Sequence, residues 1–129
     1  MGYIAYVLDE PSRAKVLKLF TPRYPDVICH HVTLAVGVNA LLLPRIIEDM
    51  ATALVNVAGW VYDDRIDALI VSVGGKYERH DGGIYHITNS IDRSKGAKPV
   101  MSNLLVSDRK NWDLNRGMCF ITGSVQYFN

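Results

Sequence analysis

The chain holds only two cysteines, Cys29 and Cys119, in 129 residues. One pair in a chain of this length is no disulfide framework. Both lie in apolar, strand-like runs, so buried free thiols in a reducing compartment are expected, and neither reads as a nucleophile. Net charge is nearly absent: 14 Lys and Arg stand against 13 Asp and Glu, leaving +1. That excludes a broad basic field for long nucleic acid and leaves phosphate recognition, if any, to a local site. No apolar run approaches the ~18 residues of a membrane span, and the first residues lack the charged-then-apolar form of a leader. The expectation is a cytoplasmic protein without a membrane partner. Low-complexity tracts and linkers are missing too, and 49% hydrophobic with 21% charged residues is ordinary for a globular chain. A single domain over residues 1–129 is expected. His-Glu-x-x-His, Cys-x-x-Cys, Walker and dinucleotide signatures do not occur, and Gly74-Gly75 and Gly82-Gly83 lack the spacing such loops need.

Taken in order, Gly2–Leu8 reads as a strand, and Pro11-Ser12 open a helix in which Ala14, Leu17 and Phe20 recur at helical spacing. Two prolines make residues 21–26 a loop, and Val27–Val38 reads as a strand. Leu41–Val55 carries an apolar stripe of Leu43, Ile46, Ile47, Met50, Ala51 and Leu54, capped by Asn39 and tolerant of Pro44 in its first turn. Residues 57–62 and 67–73 form a hairpin through Asp63-Asp64-Arg65, and Ile84–Ile91 is a further strand. A cationic loop over 92–98 precedes a short helix or turn over Pro99–Ser107 with Val100, Leu104 and Leu105 inward. Gly117–Phe128 is the closing strand. Strands interleaved with two or three helices give an α+β fold with a curved, mostly antiparallel sheet.

Histidine is scarce, with four in the chain, yet two of the four sit in one short pattern: His31-Val32-Thr33-Leu34 and His86-Ile87-Thr88-Asn89-Ser90. Residues two apart on a strand share a face. His31 is thereby paired with Thr33, and His86 with Thr88, while Val32, Leu34 and Ile87 turn to a core. Two imidazoles near neutrality suit reversible general acid and base work, and the hydroxyls beside them suit hydrogen bonding to non-bridging phosphate oxygens. The arrangement requires no metal or other cofactor. His30 and His31, adjacent on one strand, are expected on opposite faces, which argues against a zinc set. His80, between Arg79 and Asp81 in a turn, reads as surface.

These motifs resemble the paired His-hydrophobic-Thr/Ser-hydrophobic motifs of the two-histidine phosphoesterase superfamily. The order of elements is similar along most of the chain. Gly96-Ala97-Lys98-Pro99-Val100-Met101-Ser102-Asn103 also resembles the segment after the second motif in a phage branch of that superfamily, whose members degrade the cyclic oligonucleotide signals of bacterial CBASS immunity. The resemblance implies a bilobal, pseudo-symmetric fold of curved antiparallel sheets with helices outside and both motifs facing one cleft. It implies a metal-independent phosphodiesterase acting on a small cyclic di- or trinucleotide, with His31 and His86 as proton carriers and Thr33 and Thr88 on the phosphate. If phage-encoded, the protein would work in the host cytoplasm. Asn89 departs from the family pattern, which has a hydrophobic residue there, and the motif histidines lie only 55 positions apart. The same residues leave open an RNA-end enzyme acting on 2′,3′-cyclic phosphates and a binding module that holds its nucleotide without cleaving it.

Base recognition needs flat apolar surface, and a stacked ring is worth ~1–3 kcal/mol per base. Trp60, Tyr3 and Tyr6 are the candidates, although Tyr3 and Tyr6 alternate differently and only one of them can face the cleft. Core packing competes with stacking for Trp60. Lys98, with Lys95, is the candidate phosphate contact. Trp112 is either a lid or loop packing.

Overall fold

The computed structural model describes residues 1–129 as an α+β arrangement. In chain order the elements are β1 (Gly2–Leu8), α1 (Glu10–Leu19), β2 (Asp26–Val27), β3 (His31–Val38), α2 (Leu43–Met50), β4 (Val55–Tyr62), β5 (Ile66–Val73), β6 (His86–Ile91), α3 (Ser102–Ser107), β7 (Cys119–Ile121) and β8 (Gly123–Phe128), with four short 3₁₀ turns between them. They build two antiparallel sheets, one in the order β3-β1-β8 and one in the order β2-β6-β5-β4-β7. No helix is long and apolar enough to cross a membrane.

Two expected strands are each broken in two, and each break is a passage between sheets. The chain pairs with β6 through β2, leaves it at Ile28-Cys29-His30, and re-enters the other sheet as β3. It leaves β7 at Thr122 and joins β1 as β8. The first passage requires Cys29 at φ +41°, a left-handed conformation that costs a non-glycine residue energy. Its backbone partners hold it there. Ile28 N–H donates to Asn89 O and Cys29 N–H to Thr88 O, both at 2.9 Å, while the Arg13 guanidinium donates to Cys29 O at 3.0 Å and to Ile28 O at 3.3 Å.

The first turn of α1 also fixes the second passage. Asp9 caps the helix by accepting from Ser12 N–H, and it accepts from the Thr122 hydroxyl as well. Ser12 Oγ accepts from Thr122 N–H at 2.8 Å. The buried row of α1 is Ser12, Val16 and Phe20 at i, i+4 spacing; Ala14, expected in that row, is exposed. Three helical expectations are corrected here. α2 stops at Met50, and Leu54 is 68% exposed, because the ladder of Val55 with Val73 and Ile121 takes over. In α3 the buried residues are Ser102 and Val106, four apart, whereas Val100 and Leu104 face solvent.

The main core lies against Ile4, Leu8, Val32 and Leu34 of the first sheet and Val57, Leu69, Val71 and Ile87 of the second, closed by Val16 and Phe20. A smaller core on the other face of the second sheet joins Ala68, Ile70 and Ile84 to Val106 of α3. One carboxylate is wholly enclosed. Asp67 accepts from Trp60 Nε1 at 2.9 Å, from Asn89 Nδ2 at 2.8 Å and from the Ser90 hydroxyl. Asn89 thus occupies a position expected to be hydrophobic because it partners a buried anion, and it also donates to Phe20 O. Replacing Asp67 by Ala takes the acceptor from the Trp60 indole N–H and the Ser90 hydroxyl, and one of two acceptors from the Asn89 amide. We expect a loss of about 3 kcal/mol or more in urea denaturation, against less than about 0.5 kcal/mol for Asp64→Ala on the exposed hairpin turn.

Candidate functional site

The residue alternation of β3 turns His31 and Thr33 away from the core that takes Val32 and Leu34. On β6, His86 and Thr88 lie opposite Ile70 and Ala68 on the face that α3 covers, while Ile87 enters the main core. The β2–β3 passage bonded along β6 puts these two faces beside one another. His31, Thr33, His86 and Thr88 line one open cavity of about 1010 Å³. This is the upper end of the range for small-ligand pockets, roughly 300–1,000 Å³.

His86 is 8% exposed and bonded at both ring nitrogens. A carbonyl can only accept, so the 2.7 Å contact with Ile84 O places a proton on Nδ1. Nε2 lies 3.0 Å from the Ser102 hydroxyl, which in turn is 2.8 Å from Thr88 Oγ1. Burial lowers the His86 pKa, and the Ile84 carbonyl opposes that effect by favouring the imidazolium. His31 is pushed down to about 4, chiefly by burial, then by the proximity of His30 and of His86.

His30 departs from its expected placement. The kink at Cys29 breaks the strand alternation, so His30 and His31 turn into the same cavity, their Nδ1 atoms 2.9 Å apart. One ring must donate and the other accept, so only one of the two Nδ1 atoms carries a proton. No cluster of three or more His, Cys, Asp or Glu side chains in the structure has the geometry to hold a metal ion.

Of the expected base-stacking residues, Tyr3 lines the cavity, with its ring 5.8 Å from that of His31 and stacked on Phe128 at 5.1 Å. Tyr6 does not, because it lies opposite Val32 and packs against the main core. Trp60 is corrected as well: it is 6% exposed, edge-on to Phe20, with its indole N–H on Asp67. Lys98 is exposed and stands outside the cavity wall, before the 3₁₀ turn Pro99–Met101, and Lys95 closes on Asp64 O. His80 is exposed, as expected for a turn. Trp112 is loop packing, its N–H on Val106 O and its ring against Tyr77. Both cysteines are buried, and burial raises the Cys29 thiol to about 11.

The cations that do reach the cavity are Arg79 and Arg109. Arg79 is bidentate on Asp81, at 3.1 and 3.2 Å, and lies flat over Gly83, where a Cβ would strike its guanidinium. Arg109 is paired with Glu78. Sequence spacing did not single out these arginines, His30 or Ser102 as site residues. In the sequence, Ser102 lies in the segment Gly96–Asn103 that follows the second motif.

Comparison of the chain with protein-family models, with curated proteins and with solved structures finds no match.

Two titrations follow from this geometry. Unfolded His31 titrates near 6.5 and folded His31 near 4, so between those values the unfolded chain takes up protons that the fold refuses. The stability this supplies is complete above pH 6.5 and is lost as the pH falls toward 4. His31→Gln is expected to flatten the decline of the urea midpoint across that window. His30→Ala is expected to raise the His31 midpoint in an NMR titration, because it removes both cover and a like charge.

Proposed function

We propose that the protein is a metal-independent phosphodiesterase of the two-histidine type, acting on small cyclic oligonucleotides. On this reading the two sheets are two lobes, unequal in strand number and each carrying one motif. The observation that supports it best is that two imidazole–hydroxyl pairs, from distant parts of the chain, line one cavity. The cavity is open and at the upper end of the small-ligand range, which leaves room for a di- or trinucleotide.

The two histidines take different roles on chemical grounds. His31, with its low pKa, is neutral at pH 7 and serves as the base. Burial first, and then the Arg79 charge, hold the His86 pKa below its usual value; the Ile84 carbonyl on Nδ1–H works against them, and the ring, left as the partner of His31, serves as the acid. In a substrate with a 2′-hydroxyl, His31 removes that proton as the oxygen attacks the adjacent 3′-phosphorus. The new O2′–P bond forms, the P–O5′ bond breaks, and a proton originating on His86 neutralises the departing 5′-oxygen. Thr33 donates to a non-bridging oxygen, where charge accumulates, and Thr88 stands between the His86–Ser102 pair and the substrate. The ring of Tyr3 offers a base its flat face, and Arg79 is a cation of the wall whose charge reaches His86. The phage immune-evasion role is the sharpest form of this reading.

The test is chromatography of products from a panel of cyclic di- and trinucleotides incubated in EDTA. We expect a linear product, with kcat reduced by roughly 10²–10⁴ in His31→Ala and in His86→Ala. Absence of product across the panel defeats the reading. Rapid opening of a nucleoside 2′,3′-cyclic phosphate alone marks an RNA-end enzyme instead. Binding without turnover marks a module that only sequesters the nucleotide. Because kcat/KM reports the free enzyme, and both histidines are depressed there, its pH profile is expected to peak below 6.5.

A further inference from the structure

His86 does not present a free nitrogen to the cavity. Its Nδ1 is taken by Ile84 O and its Nε2 by Ser102 Oγ, and the ring is 8% exposed. Ser102 is itself 1% exposed, yet it touches three groups at once: Nε2 at 3.0 Å, Thr88 Oγ1 at 2.8 Å and Pro99 O at 2.7 Å. A hydroxyl has one proton and two lone pairs, so Ser102 can donate to only one of the three and can accept from two. Thr88 is the more open of the two hydroxyls, and it has Pro99 O at 3.4 Å as its alternative acceptor.

We propose that Ser102 is a catalytic relay, and that protons pass between His86 and the substrate through Ser102 Oγ and Thr88 Oγ1. The inference rests on the phosphodiester reading of the cavity. With His86 neutral, Ser102 donates to the bare Nε2 and Thr88 donates to Ser102. With His86 charged, Nε2–H donates to Ser102, which then turns its own proton to Pro99 O or to Thr88. In the transfer step Ser102 Oγ takes the proton from Nε2, Thr88 Oγ1 takes the proton from Ser102, and the departing oxygen takes the proton from Thr88. Each hydroxyl ends with one proton, His86 ends neutral, and the leaving group ends as an alcohol. Pro99 O is the acceptor that holds the Ser102 proton while His86 is charged and before transfer begins. α3 is thus part of the reacting machinery, since its first residue supplies the hydroxyl.

The experiment compares wild type with Ser102→Ala, Ser102→Thr and Thr88→Val. If the protein turns over a cyclic oligonucleotide, Ser102→Ala is expected to lower kcat about 100-fold while KM changes by less than about threefold. Ser102→Thr, which restores a hydroxyl, is expected to recover most of the loss. The wild-type rate in H₂O/D₂O mixtures is expected to curve, because more than one proton moves together. Unchanged or faster turnover in Ser102→Ala overturns the relay, because it shows Ser102 to be only a cover over Nε2. So does a loss that Ser102→Thr leaves in place while its amide spectrum matches wild type. A second measurement needs no activity. In ¹⁵N spectra of the neutral imidazoles, Ser102→Ala is expected to move the His86 Nε2 signal toward that of an unbonded nitrogen. Thr88→Val is expected to move it less, and His31 not at all. An Nε2 signal that neither substitution moves overturns the relay even if the protein cleaves nothing, whereas failure of turnover alone overturns only the phosphodiester reading.

Discussion

The first turn of α1 holds both places where the chain crosses between sheets. Arg13 donates to the carbonyls of Ile28 and Cys29, and Asp9 with Ser12 binds Thr122 through backbone and side chain. These are loop backbone groups near the protein interior, where an unpaired carbonyl or amide is costly. Val16 and Phe20, one and two turns further on, anchor the helix in the main core. Hydrophobic burial therefore positions a helix whose polar end sets the geometry of the cavity.

That geometry has one decisive consequence. Backbone bonds from Ile28 and Cys29 to Asn89 and Thr88 make the approach to the first motif an extension of the second motif's ladder. The left-handed kink at Cys29 then swings His30 and His31 into one cavity. Cys29 is wholly buried with a raised pKa, which suits a structural thiol at a corner rather than a reactive one. The buried Asp67 stiffens the neighbouring stretch of β6 through Asn89 and Ser90. The polar residues that follow the second motif are thereby explained by a core anion, with no role in the cavity required of them.

Within the cavity, environment divides like residues. Burial disfavours the cation of both histidines; two imidazole neighbours add to that effect at His31, and at His86 the Ile84 carbonyl opposes it while Arg79 adds to it. The two hydroxyls nearest His86 form a chain from a covered nitrogen to open space. Both arginines of the wall are already engaged by carboxylates, so their charge is locally balanced, in keeping with the near-zero net charge of the chain.

Much of this was readable from local pattern. Alternation alone assigned His31 and Thr33, and His86 and Thr88, to common faces, and turn chemistry marked the Asp63-Asp64-Arg65 hairpin. Those features depend on neighbours two to four positions away. What local pattern could not supply was contact between distant segments. Trp60 looked like a stacking surface until Asp67 claimed its N–H, and Tyr6 and Tyr3 were separated only by which sheet face met the core. The broken strands, the inward turn of His30 and the hydroxyl of Ser102 against His86 all arise where segments remote in the chain compete for one another's backbone and side-chain groups. Periodicity along a single segment carries no record of that competition.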